Sequence, residues 1–171
     1  NGLSLADVQA VPLPVQDALT AFRNGHIDAL ATGGISVLQA VSQMDGELLE
    51  NVSRYSSGNY VIATTEQVLA DPLRRSQISD FLQREKATWE WVNTHPERWA
   101  QRSEALTGID RELYLRQFRQ RSQPTRLVGT DDSAIAAQQK VADLFYENRL
   151  ISQSVDVRPL WRNDFNQILN S

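Results

Sequence analysis

The sequence predicts an α/β fold, and two observations carry that prediction. In the first fifty-five residues short apolar runs alternate with helical patterns in the order βαβαβ, which calls for a parallel sheet with right-handed crossovers. From Asp71 onward the apolar residues recur almost entirely at helical spacing. The 171 residues, 41% hydrophobic and 22% charged, can bury one core or parts of two smaller ones.

Taken in order, Val8 to Leu13 reads as a strand, and Pro14 suits the first turn of a helix through Phe22 that ends before Gly25. Ile27 to Ala31 reads as a second strand, Ile35 to Val41 as a short helix and Leu48 to Val52 as a third strand. Ser56, Ser57 and Gly58 break the pattern, so a boundary is expected there, followed by a β-branched and aromatic stretch from Asn59 to Thr65. Asp71 with Pro72 behind it starts a helix whose apolar face carries Ile78, Phe81, Leu82, Trp89 and Val92, and which stops near Thr94. Pro96 opens the next, through Trp99 and Leu106 to Gly108, and Asp110 caps another through Leu113, Tyr114 and Phe118. After Pro124 a longer helix, capped at Asp131 or Asp132, carries Ile135, Val141, Leu144 and Phe145. An extended piece then leads past Pro159 to a last segment, Trp161 to Leu169.

A net charge of −4, with 17 scattered basic residues against 21 acidic ones, gives no footprint for nucleic acid or an anionic membrane. No apolar run reaches the length of a membrane-spanning helix. Cysteine is absent, which excludes disulfides, thiolate catalysis and cysteine-ligated zinc. His26 and His95 belong to no metal-ligand or catalytic spacing and read as surface or capping residues, while Asp131 and Asp132 read as helix caps. Neither a GxSxG elbow nor a phosphate loop is present, so no catalytic residue, metal or cofactor is expected. Trp89 and Trp99 fall at helical apolar positions and read as core, whereas Trp91 and Trp161 stay open between packing and ligand contact.

The segment most informative about function is Asp28 to Ser36, an apolar run followed by Thr32, the pair Gly33 and Gly34, and the start of a helix. Glycine admits close backbone approach, and a helix start offers unpaired N–H groups to an oxyanion. The competing reading is a tight turn with an ordinary cap. Thr32, Gly33, Gly34 and Ser36 are the candidate ligand contacts, with Ser57 and Asn59 further candidates at the break.

Four segments, in this order, resemble the family of periplasmic binding proteins for aliphatic sulfonates, related to the taurine, nitrate and thiamine-precursor binders. They are Asp17-Ala18-Leu19-Thr20-Ala21-Phe22-Arg23-Asn24-Gly25-His26-Ile27-Asp28-Ala29; Trp89-Glu90-Trp91-Val92 with His95-Pro96-Glu97; Ala137-Gln138-Gln139-Lys140-Val141-Ala142-Asp143-Leu144-Phe145; and Trp161-Arg162-Asn163-Asp164-Phe165-Asn166. Where many relatives continue with a Trp-Asp-Pro-type segment, this chain has Thr32-Gly33-Gly34-Ile35.

The resemblance implies a partial type II periplasmic-binding-protein-like fold, the C-terminal half of a two-lobed receptor. Residues 1–55 would belong to the second ligand-binding lobe, 56–70 would cross between lobes, and 71–171 would brace the first lobe. It further implies the non-enzymatic substrate-capturing subunit of an ABC importer, periplasmic or otherwise extracytoplasmic and in some members lipid-anchored. Its ligand would be a small organic anion such as a sulfonate, and its partner a membrane permease. As a half receptor, the chain is expected to pair with another copy as a homodimer or by domain exchange. Two alternatives accompany this reading: an enzyme of the same fold, of the thiamine-pyrimidine synthase or desulfinase type, which needs a reactive His or Cys, and a helical protein-interaction domain.

Overall fold

A computed structural model describes residues 7–50 and 58–170. Among the described residues the secondary structure is helical: α1 (Val15–Arg23), α2 (Ile35–Gln43), α3 (Glu66–Ala70), α4 (Pro72–Thr94), α5 (Pro96–Thr107), α6 (Arg111–Gln120), α7 (Asp132–Glu147) and α8 (Asn166–Leu169), with a 3-10 turn at Arg158–Leu160.

The α/β prediction, and with it the type II binding-protein architecture, is therefore corrected: no strand forms among the described residues. Val8 to Leu13, Ile27 to Ala31 and Asn59 to Thr65 form no strand, nor do residues 48–50 of the third expected strand; Asn51 and Val52 lie outside the described residues. A strand satisfies its N–H and C=O groups only on a neighbouring strand, so a short apolar run without one remains a loop whatever its composition. Exposure follows: Leu49 is 81% and Tyr60 95% accessible.

Helices close their hydrogen bonds within the segment, so their starts and stops follow local chemistry. Asp71 accepts from the N–H of Leu73 at 2.9 Å and of Arg74 at 3.2 Å, and Pro72 fills the first helical position, so α4 begins where the sequence requires. Its C-cap, His95, donates its backbone N–H to the Trp91 carbonyl, while its ring bonds the Thr94 hydroxyl and stacks on Trp91 at 5.1 Å between centroids. Asp110 caps α6 through the Glu112 N–H at 2.7 Å, and Asp131 rather than Asp132 caps α7 through Ala134, also at 2.7 Å. Gly108, at φ +72, ends α5 with its N–H on the Glu104 carbonyl. Pro14 stands at the N-cap of α1, one place before the first turn.

The helices fall into two compact units. The first comprises residues 7–50 with Glu97–Arg121, and its core is built from Ala18 and Leu19 of α1, Leu38 and Ala40 of α2, the fully buried Ala100 of α5, and Leu113 and Tyr114 of α6. Helix α2 packs against both α1 and α6. Trp99 meets Tyr114 edge to face at 5.4 Å and Phe118 at 6.0 Å, and the Tyr114 hydroxyl bonds Thr107 at 2.8 Å, so this tryptophan is a packing residue as read from its spacing.

The second unit comprises residues 58–96 with 122–170, and buries Leu69, Leu82, Val92, Val157 and Leu169. Helix α4 packs against α3 and α8. Of the apolar face expected on α4, Leu82 and Val92 are buried, Ile78 and Trp89 half-buried and Phe81 exposed. Polar contacts supplement this thin core. The Asn166 carboxamide exchanges two 2.8 Å hydrogen bonds with the backbone of Thr130, and Arg162 links Glu66 to Asp164, which also receives Arg75 at 2.8 Å. Gln139 holds the C-terminal segment in the same way, donating to the Val155 carbonyl at 2.8 Å and accepting from the Val157 N–H at 2.9 Å.

Candidate functional site

The turn from Thr32 to Ser36 lies in the first unit, where Gly34 is the N-cap of α2. Its backbone, at φ +63 and ψ −138, is a conformation almost confined to glycine. A glycine cap brings no side-chain acceptor, and none caps α2; the first turn also carries no acidic residue. The first N–H groups of a helix have no intrahelical partner and sit at the positive end of its dipole. At the start of α2 they are therefore left to solvent or to an anion.

Around this turn the candidates divide. Thr32 is half-buried, Gly33 is exposed with open space where a Cβ would stand, and Ser36 is buried at 7% exposure. These four candidates, Thr32, Gly33, Gly34 and Ser36, lie together at the start of α2. Asn59 belongs to the second unit and is exposed there, and Ser57 lies outside the described residues.

Sequence reasoning passed over two side chains here. The Gln117 carboxamide on α6 packs over the glycine cap, with Nε2 only 3.3 Å from where a Gly34 Cβ would stand. Its signal was a polar residue one turn beyond Leu113 and Tyr114, on a stripe otherwise facing the core. Gln39 on α2 carries a buried Oε1 with no hydrogen-bond partner. In the second unit the indole N–H of Trp161 is likewise buried without a partner, whereas Trp89 donates to Glu85 at 2.9 Å.

A shallow open depression of about 300 Å³ lies elsewhere, in the second unit, lined by Ile135, Gln139, Lys140, Asp143, Asp156 and Arg158. Its charges are of both signs, and Arg158 is already paired with Asp132 at 2.9 Å, so it offers no concentrated field for one kind of ion. No group of three or more His, Asp or Glu side chains able to hold a metal occurs among the described residues. None of the described helices is long and apolar enough to cross a membrane.

Comparison with known proteins places the chain beside a solute binder. It is 28% identical, over 176 aligned positions and 94% of its length, to a protein of Escherichia coli (strain K12) named "Putative aliphatic sulfonates-binding protein". The family resemblance read from the four segments is borne out by this match. The chain spans about half the length of that curated relative. No family model matches the chain. No solved structure matches it significantly.

Proposed function

We propose that this chain is part of an extracytoplasmic solute-binding protein, periplasmic or lipid-anchored, that captures a small organic anion, an aliphatic sulfonate first of all, for an ABC permease. The observation that carries the proposal is the start of α2: a glycine cap, no capping side chain and no acidic residue in the first turn, beside the Thr32 hydroxyl. The similarity to a protein named for binding aliphatic sulfonates supports the ligand class. In this account a sulfonate oxygen accepts from the first N–H groups of α2 and from Thr32 and Ser36, with Ser57 and Asn59 as further contacts and no covalent chemistry. Residues 1–55 carry the ligand, 56–70 connect, and 71–171 brace the receptor. A second copy of the chain is the partner proposed for its exposed apolar segments.

The test is calorimetric titration of ethanesulfonate and taurine into the full-length protein and its Thr32→Val variant. Loss of the hydroxyl weakens binding by about 0.5 to 3 kcal/mol. Unchanged affinity in Thr32→Val would assign the turn to structure alone.

A further inference from the structure

Helix α7 buries none of its 16 residues. Its polar ties to the second unit lie on one side, where Gln139 bonds the backbone of Val155 and Val157 and Asp132 pairs with Arg158 at 2.9 Å. At about 3.6 residues per turn, Val141, Leu144 and Phe145 come together on the side away from Gln139 and Asp132. They are 40%, 54% and 43% exposed. An apolar stripe at this spacing is what a helix ordinarily turns toward a partner.

The charges along the edge of the stripe say which partner fits. Lys140 and Glu147 stand one turn before and one turn after Leu144, on the same flank of the helix. Both are exposed, and neither makes an ion pair or a side-chain hydrogen bond with the described residues. The other acids of α7 are occupied, Asp143 by the Gln139 carboxamide and Asp132 by Arg158. When two α7 helices lie antiparallel about a two-fold axis at Leu144, each Lys140 comes level with Glu147 of the second copy, so one symmetry operation makes two opposite-charge pairs. Laid parallel, the same helices would set Lys140 beside Lys140 and Glu147 beside Glu147. The flank is thus complementary to itself in one orientation and repulsive in the other.

We propose that α7 is a self-docking face: a second copy of the chain lays its own α7 antiparallel on it, with Leu144 against Leu144 at the two-fold axis and Lys140 beside Glu147 at each end. The inference rests on the proposal that a second copy covers the exposed apolar segments. It adds the face, the orientation and the charge pairs that set that orientation.

The chain of 171 residues contains no cysteine, so a single introduced thiol reports contact between copies without background. Leu144→Cys treated with a short bismaleimide is expected to become a covalent dimer, whereas Leu106→Cys, at a position 77% exposed on α5, is not. In sedimentation equilibrium Lys140→Glu is expected to weaken the dimer about 10-fold, because two attractions become two repulsions, and the exchange of both charges, Lys140→Glu with Glu147→Lys, to restore it. Circular dichroism checks that each variant keeps its helices; if Lys140→Glu does not, Glu147→Lys is the converse change and weakens the dimer equally. A parent chain that stays monomeric leaves the stripe to another occupant and overturns self-association and this inference together. An associating parent whose Leu144→Cys and Leu106→Cys variants cross-link alike overturns the α7 face and leaves self-association standing. Cross-linking confined to Leu144→Cys, with single charge reversals that change nothing or a double reversal that fails to recover, overturns the antiparallel pairing.

Discussion

Gly34 does two things at once, and substitutions separate them. Its φ of +63 with ψ of −138 is disfavoured for any residue with a Cβ, and an added Cβ also meets Gln117 Nε2 at 3.3 Å. Gly34→Ala is therefore expected to destabilise the first unit by about 1 to 3 kcal/mol, measured by denaturant unfolding. The sequence leaves open close approach to a ligand and a tight turn; the backbone angles show that the glycine serves the turn. A Gly34→Ala protein as stable as the parent would mean that the turn relaxes to ordinary backbone angles. The same residue marks what was legible. Two glycines before a helix announced a special turn, but Gln117, 83 positions later in the chain, could not be connected to it without a fold. Ser57, also singled out from the sequence, lies outside the described residues.

At the scale of elements, the parts readable from sequence were those whose hydrogen bonds close locally. Asp71-Pro72, Pro96, Gly108, Asp110 and Asp131 each place a helix end within a residue or two of where they predict it. The strands were misread because β-branched and apolar runs register only suitability for a pleated surface, and the partners that make a strand are long-range. Helix α3 has no counterpart among the elements expected from the sequence, which pass from Thr65 to Asp71; its one local sign is the Thr65 side chain accepting from the Val68 N–H at 3.3 Å. For the cap of α4, Asp71→Ala is expected to cost about 1 kcal/mol in unfolding free energy.

The network of Glu66, Arg162, Asp164 and Arg75 gives the second unit a pH dependence. Asp164, with its side chain only 18% exposed, is held well below the ordinary carboxylate range, first by the hydrogen bond from Arg162 and then by that from Arg75. Arg162 is correspondingly raised by Asp164 and Glu66. A carboxylate whose folded pKa is depressed contributes stability above its unfolded value of about 3.9, and loses that contribution as pH falls toward the folded value. Asp164→Asn should thus be less stable than the parent at pH 7, with the gap narrowing once pH drops below about 4. Urea unfolding of both proteins across this range measures it; a gap independent of pH would place the stabilising contact elsewhere.

At the scale of the molecule, the described surface carries large apolar side chains grouped in short runs. Val8, Val11 and Leu13 are open before α1, Leu48 and Leu49 after α2, and Tyr60, Val61 and Ile62 before α3. Helix α7 buries no residue, leaving Val141, Leu144, Phe145 and Tyr146 exposed along its length. Extended apolar runs outside any sheet can template strand pairing between molecules, and apolar patches of this kind drive association. The chain of 171 residues, purified by itself, is therefore expected to associate with its own copies, as dimers or by exchange of segments, rather than remain monomeric. Replacing Val61 and Ile62 by Lys places charge on one open run without removing any buried contact, and should shift the population toward monomer. Light scattering across a dilution series reads both outcomes. A chain that stays monodisperse and monomeric at every concentration would mean that these apolar runs tolerate water without a partner, and the association proposed here would be wrong.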